Sequence, residues 1–377
     1  MGQFGVKSKV IMGDELESLI PNMKKVYVAT DSFMAQSGKV EYVTAKLEKA
    51  GVEYCVFSDI AGEPDIEMVT AGAEKLMKFE PDTVICLGGG AAIDAAKAIV
   101  YFSRKVCDLG KTTFIAIPTT SGTGSEVSRF AVITDKEKGV KYPIVDDSLL
   151  PDVAVLDAQL VLSAPPTVTA DTGIDVLTHA VEAFVSKGRN DFTDACAEKA
   201  IKLVCEHLME CYKHPDNLEA RQGMHNASCL AGIAFSNAGL GLNHGMAHAM
   251  GARFHIPHGR ANGILLPYVM SYNMGSGEKL TPTAERYVQI AHLLRLDTSN
   301  IRQSTLTMIR TACSLIKRMN MPATIAEAGV TKEQFEAELD AMAAAALADG
   351  CTASNPQPVT IEDIKEVYRK AFIGKLP

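Results

Sequence analysis

Thr83-Val-Ile-Cys-Leu-Gly-Gly-Gly-Ala-Ala-Ile-Asp-Ala-Ala-Lys97 reads as a β-strand, a tight glycine turn and the start of an α-helix. Glycines let a backbone approach a phosphate closely, and the first turn of a helix offers free N–H groups at the positive end of its dipole. The spacing is not G-x-G-x-x-G, so the ordinary Rossmann fingerprint is unmatched. A tight turn with no ligand is the structural alternative. Around this stretch the same rhythm repeats. Val26–Ala29, Val52–Phe57, Thr83–Leu87 and Thr113–Ile117 are strand-like. Val40–Lys49, closed by Gly51, Ile66–Phe79 and Ala91–Phe102 carry helical periodicity. Strands alternating with helices of this length predict βαβ units and a parallel sheet. Phe130–Thr134 and Tyr142–Val145, separated by the turn-like Asp135–Gly139, predict a hairpin, and Val153–Leu156 a last strand.

From Pro165 onward the strand signal stops. Thr169–Val185, Asp191–Cys211 and Leu218–Phe235 are helical in pattern, as are segments around Met246, Ala261, Ala284, Ile301, Lys332 and Ile361. Seven to nine helices are expected. Two prolines in Ser163-Ala-Pro-Pro166 mark the boundary, giving an α/β domain over 1–163 and an all-helical domain over 164–377. A length of 377 residues agrees with two domains at about 150 residues each.

Composition narrows the function. Lys plus Arg number 37 against 45 Asp plus Glu, a net charge of −8, which repels polyanions and argues against nucleic-acid binding. The 9 cysteines form no CxxC pair and fall largely in apolar runs, the pattern of reduced thiols in a cytosolic protein. The N-terminal segment lacks the apolar core of a signal peptide. The longest uncharged run, Ala227–Asn243, is broken by Ser, Asn and Gly, so neither secretion nor membrane insertion is expected.

Two further motifs carry chemistry. Pro118-Thr-Thr-Ser-Gly-Thr-Gly-Ser-Glu126 packs hydroxyls and glycines directly after a strand's carboxyl end, where ligands of open α/β sheets bind. Asp31, at the end of the first strand of the series, suits a ribose 2′-OH and would repel a 2′-phosphate, favouring NAD over NADP; equally, Asp31-Ser32 suits a helix N-cap.

In the second half, Asp175 and His179 lie at i and i+4 on one helix face, about 6 Å apart. A helix salt bridge is the plain alternative for that pair. Asn243–Gly259 holds His244, His248, His255 and His258, four of the 9 histidines. A continuous helix would separate His244 from His258 by about 21 Å. Gly251 and Pro257 predict instead that the helix ends and the chain turns back, with His258 on a rigid turn between Pro257 and Gly259. His255 is expected to be an ordinary hydrogen-bonded residue. Asp175, His179, His244 and His258 together offer three nitrogens and one oxygen, a set for Fe²⁺ or Zn²⁺ and too nitrogen-rich for Ca²⁺ or Mg²⁺.

With GGGAAIDAAK (Gly88–Lys97), PTTSGTGSE (Pro118–Glu126), TGIDVLTHAVEAF (Thr172–Phe184) and HGMAHAMGARFHIPHGRANGILLP (His244–Pro267), the chain resembles the iron-containing (group III) alcohol dehydrogenases over its whole length. DVLTHAVEAFVS and MHNASCLAGIAFSNAGLGLNHGMAHAMG further resemble the 1-propanol dehydrogenases of propanediol-utilisation microcompartments. The resemblance implies a Rossmann-like N-terminal domain, a helical C-terminal domain and a site in the cleft between them. It implies metal ligands Asp175, His179, His244 and His258. Cofactor contacts would fall on Asp31, Gly88, Gly89, Gly90, Asp94, Thr119, Thr120, Thr123, Ser128, Phe130 and Lys141, and His248 would be an active-site histidine that does not ligate metal. Ala91 stands where many relatives carry Ser, which removes one hydroxyl from the pyrophosphate cradle. Phe130, Arg253 and Phe254 are expected in the substrate wall.

The implied reaction is NAD(H)-dependent reduction of a small aldehyde with Fe²⁺, or Zn²⁺, as Lewis acid. A homodimer in the cytoplasm, with microcompartment shell or enzyme partners, is also implied. A glycerol or diol dehydrogenase of the same superfamily, a non-redox metal enzyme and a scaffold are the competing readings.

Overall fold

The computed structural model describes residues 3–107, 112–137, 140–275 and 279–376; of Val140 and Lys141 it describes the backbone. The chain divides into two compact units, the first spanning Gly5–Ser163 and the second comprising Ala164–Pro377 together with the N-terminal residues up to Phe4.

The first unit is built on a six-stranded parallel sheet. Its strands are β1 (Lys9–Met12), β2 (Lys25–Asp31), β3 (Glu53–Ile60), β4 (Thr83–Gly88), β5 (Thr113–Pro118) and, after the hairpin, β8 (Val153–Leu156). The spatial order is β1-β8-β5-β4-β2-β3. Helices α1 (Ser32–Gln36), α2 (Glu41–Lys49), α3 (Ile66–Phe79) and α4 (Gly90–Val106) connect them. β6 (Phe130–Asp135) and β7 (Val140–Val145) pair antiparallel as a separate ribbon, with Phe130 opposite Val145. The tip of its turn, Lys138-Gly139, lies outside the described residues.

Both faces of the sheet are covered, which is why its strands read as unbroken apolar runs. Tyr27, Ala29, Val84, Cys86, Phe114 and Ala116 point to one face and meet Ala73, Leu76, Ile93 and Ile99 of α3 and α4. The alternate residues Val26, Val28, Ile85, Leu87, Ile115 and Ile117 point to the other and meet Leu16, Val43 and Leu47. β2 lies between β3 and β4, so the chain winds outward to β3 and then crosses back to β4. That reversal is a topological switch point, where the connections from the carboxyl ends of β2 and β4 part and leave a crevice. Asp31 and Gly88 are the last residues of those two strands.

β1 escapes the sequence reading, whereas α1 realises the N-cap reading of Asp31-Ser32. β1 is a four-residue, largely exposed edge strand with no apolar alternation to betray it. α1 is a five-residue helix begun by Asp31, whose Oδ1 accepts the Met34 N–H at 2.8 Å.

Among its described residues the second unit has helices and no strand. It contains α5 (Pro166–Val185), α6 (Asp191–Lys213), α7 (Leu218–Ala238), α8 (Leu242–Phe254), α9 (His258–Met274), α10 (Pro282–Leu293), α11 (Ile301–Arg318), α12 (Lys332–Ala348) and α13 (Ile361–Ile373). α5 starts with Pro at its first position, where the missing N–H costs nothing, and is buried along most of its length. α8, α9, α12 and α13 share one apolar cluster that includes Met246, Met250, Leu265, Phe335, Met342 and Tyr368. Phe4 stacks on Phe192 at the start of α6, ring centroids 5.3 Å apart. Among the described residues no helix is long and apolar enough to cross a membrane, and no disulfide joins the cysteines.

Candidate metal centre and nucleotide cradle

The four expected ligands come from three helices of the second unit. Asp175 and His179 lie on α5, His244 on α8 and His258 on α9, and one donor atom of each lies within 4.8 Å of all the others. His244 Nε2 is 3.8 Å, His258 Nε2 3.5 Å and His179 Nε2 4.0 Å from the Asp175 carboxylate. Asp175, His179 and His244 are buried, while the His258 side chain is 43% exposed, so the cluster has one open face. A structural metal site is closed, whereas a catalytic one keeps a position for substrate.

The turn that brings His258 back differs from the expectation. α8 runs through Gly251 to Phe254, and His255, in the left-handed conformation at φ +54, ends it. His258 is not on a loop but is the first residue of α9, capped by Pro257. Gly259 follows it because α9 crosses α5 at contact: a Cβ there would stand 2.1 Å from the Asp171 carbonyl oxygen. Arg260 reinforces the crossing, donating from Nε and Nη2 to the two Asp171 carboxylate oxygens at 3.2 and 3.0 Å.

Two residues unassigned by sequence complete the centre. Glu182 sits seven residues beyond Asp175, on the same face of α5. It accepts the Asn243 N–H at Oε1 (2.6 Å) and pairs with His244 Nδ1 at Oε2 (2.5 Å), which points His244 Nε2 toward the donor cluster. The spacing Asp175–His179–Glu182 was the available signal. Asn262, one turn after His258, is oriented by Asn243, whose Nδ2 donates to Asn262 Oδ1 at 2.9 Å. Asn262 Nδ2 therefore faces the cluster. It lies 2.7 Å from Asp175 Oδ1, 3.2 Å from His244 Nε2 and 3.1 Å from His258 Nε2. Three lone pairs converging on one small donor is the arrangement a cation site presents, so these residues fit a divalent metal.

Burial raises the Asp175 carboxyl, and burial again pushes Glu182 up to about 8, against N–H donation from Asn243, His244 and Gly241. Burial holds His244 well below the ordinary histidine value, which keeps its lone pair available. A dication would balance the two carboxylates once both ionise.

His248, also on α8, lies beside this set with its ring 5.3 Å from that of His258 and 6.0 Å from that of His244. Its Nδ1 pairs with Asp349 Oδ2 at 2.8 Å. Arg253 pairs with Glu338 at 3.5 Å, and Phe254 packs on the apolar cluster.

In the first unit, Asp31 and the three glycines meet at the switch point. Asp31 keeps Oδ2 beside Gly88, 3.0 Å from where a Cβ would be, and a Cβ on Gly90 would stand 2.5 Å from Thr123. The turn thus needs glycine for close approach to the hydroxyl loop. Thr120 is the nearest neighbour of Gly89, and the Thr119 N–H donates to Gly88 O at 3.0 Å.

Three of the other expected contacts have structural work. Asp94 accepts from Ser125 Oγ at 2.6 Å and from the Val132 N–H at 3.2 Å, and so tethers the hairpin and its approach. Lys97, one turn later and missed by the sequence reading because it lies on an apolar helix face, donates to Ser128 O (2.8 Å), Ser128 Oγ (3.2 Å) and Phe130 O (2.9 Å). Burial pushes Lys97 down to about 8 and Glu126 up to about 7. Lys141 lies on β7 opposite Thr134, and its side chain lies outside the described atoms.

Comparison with known proteins follows the same division. A family model described as iron-containing alcohol dehydrogenase matches residues 7–158. A second, the C-terminal model of the Fe-containing alcohol dehydrogenase family, matches residues 169–372. The 1-propanol dehydrogenase PduQ of Salmonella typhimurium is 41% identical over 374 residues, 98% of this chain and 100% of that protein. The NADPH-dependent butanol dehydrogenase of Clostridium saccharobutylicum is 40% identical over 365 residues, 93% of this chain and 92% of that one. A crystal structure of 1,3-propanediol oxidoreductase superposes with a TM-score of 0.91 at 32% identity, covering 99% of this chain and 100% of the other.

Proposed function

The chain belongs to the iron-containing alcohol dehydrogenase family, and on that premise we propose that it interconverts a small aliphatic aldehyde, such as propionaldehyde, and its primary alcohol with NADH. The observation that carries the proposal is the convergence of Asp175, His179, His244 and His258 within 4.8 Å, open on the His258 side. We assign these four as the metal ligands, for Fe²⁺ with Zn²⁺ as the competing ion. When bound, the metal supplies Lewis acidity to a carbonyl oxygen and the nicotinamide supplies the hydride.

The chain's own residues do the rest. Glu182 holds His244 in orientation, and Asn262 directs its amide at the same donors. With its Nδ1–H held by Asp349, His248 takes up a solvent proton at Nε2, gives that Nε2–H to the substrate oxygen in reduction, and as the neutral imidazole takes it back at Nε2 in oxidation. Gly88, Gly89, Gly90, Thr119, Thr120 and Thr123 cradle the pyrophosphate at the start of α4.

The Asp31 N-cap uses one oxygen only, so the other is available to a ribose 2′-OH, and the carboxylate disfavours a 2′-phosphate. On this point the chain is expected to differ from the relative whose name specifies NADPH. Ser128 and Phe130 act through the hairpin that Lys97 anchors. Resemblance to the propanediol-utilisation enzymes supports a cytoplasmic homodimer associated with a microcompartment.

Metal-stripped protein reconstituted anaerobically with Fe²⁺ or Zn²⁺, then assayed with propionaldehyde and either NADH or NADPH, tests the assignment. Turnover restored by Fe²⁺ with NADH preferred is expected. No turnover with either ion, despite NADH binding, would reject it.

A further inference from the structure

We propose that His248, Asp349 and Cys351 form a second divalent-cation site of zinc type, next to the four-ligand centre and distinct from it in its donors. An imidazole nitrogen, a carboxylate oxygen and a thiol sulfur lie within 4.8 Å of one another. The three are already linked. Asp349 Oδ2 takes the His248 Nδ1–H at 2.8 Å, and Asp349 Oδ1 accepts the Cys351 N–H at 2.8 Å.

Their scaffold is fixed. His248 is on α8, Asp349 caps α12, and Cys351 leads into a short 3-10 turn whose Thr352 Oγ1 donates back to Ala346 O at 2.6 Å. Entry is open, since the His248 side chain is 43% and that of Asp349 23% exposed. Donors on one tetrahedral zinc, at about 2.0–2.3 Å from it, lie about 3.3–3.8 Å apart. Closing the site takes about 1 Å of movement, which the exposed imidazole can supply.

The donor set selects the ion. A thiolate with an imidazole favours Zn²⁺ or Co²⁺ over Mg²⁺ and Ca²⁺, and three protein ligands leave one position for water. Burial, with Asp349 adding to it, raises the Cys351 thiol well above its ordinary value. A coordinating cation removes that proton. The S–H bond breaks, a sulfur–zinc bond forms and the proton leaves to solvent. His248 coordinates through one nitrogen lone pair with its proton on the other ring nitrogen. A cation in the four-ligand centre repels this one, so the second site is the weaker. Occupancy takes His248 out of proton transfer, and zinc in excess inhibits. That consequence rests on the proposed function, whereas the binding does not.

Cobalt(II) titration of metal-stripped protein under anaerobic conditions tests the site, following bound equivalents and the near-ultraviolet thiolate-to-cobalt absorption. The four-ligand centre contains no sulfur, so that band reports a thiolate, and Cys351→Ser separates Cys351 from the other cysteines. The expected result is a second, weaker equivalent that brings the band. Cys351→Ser loses both and keeps the first equivalent, and Asp349→Asn weakens the second at least tenfold, as loss of a carboxylate ligand should. Saturation at one equivalent, a second equivalent without the band, or a band that persists in Cys351→Ser would overturn the proposal. Turnover with Fe²⁺ but no second equivalent rejects this site alone. A second equivalent in a protein inactive with either metal rejects only the proposed reaction.

Discussion

Glu182 shows how a residue that touches no substrate governs the centre. Its carboxylate is buried, its charge is opposed by that burial, and its two oxygens are spent on the Asn243 N–H and on His244 Nδ1. An imidazole held at Nδ1 by a carboxylate has its tautomer and ring plane set, and its Nε2 becomes more basic. Glu182→Gln keeps an acceptor for Asn243 but removes the negative charge behind His244. Metal affinity is expected to fall by roughly 10–100-fold, measured by competition with a chromophoric chelator. Unchanged affinity in a folded variant would restrict Glu182 to a packing role. At this scale the sequence was informative where residues share a helix face. Asp175 and His179 stand out at i and i+4, and Glu182 lies on the same stripe. His248 and Asp349, 101 residues apart, carry no such signal.

The crossing of α5 and α9 is the element on which the ligand geometry depends. Gly259 lets the two backbones touch immediately after His258, and Arg260 clamps Asp171 one turn before Asp175. A methyl at Gly259 cannot be absorbed by a rotamer change, because the atoms it would meet belong to the Asp171 backbone. Gly259→Ala must push α9 away from α5 and carry His258 with it. We expect a stability loss of about 1–3 kcal/mol in urea unfolding together with weaker metal retention. Wild-type values for both would show that the crossing tolerates the shift. The expectation of a rigid turn at His258 came from the Pro–His–Gly sequence. The helix expected around Ala261 starts at His258 itself, and that start was ambiguous because proline suits both a turn and the position just before a helix.

For the molecule as a whole, the two kinds of chemistry are assigned to separately built units. The proposed metal ligands all belong to the second, and the glycine and hydroxyl loops to the first. A ligand that binds only the folded state adds RT ln(1 + [L]/Kd), about 2.7 kcal/mol at a hundredfold excess over Kd. Chelation should therefore lower the thermal unfolding midpoint and re-addition of Fe²⁺ restore it. A midpoint indifferent to metal would mean that the cluster does not hold one. The sequence by itself determined the alternation of strands and helices, the glycine turn after β4, the helical character beyond Pro165 and the pairing of Asp175 with His179. Each is written in a local period of two or of 3.6 residues, or in the backbone freedom of glycine and proline. Only the tertiary structure decided that the ends of β2 and β4 flank a switch point. It alone decided that Glu182 backs His244, that Asn262 faces the donors and that Cys351 lies beside His248. Those contacts join segments up to about a hundred residues apart, and their geometry comes from how whole helices and strands pack, which no local period records.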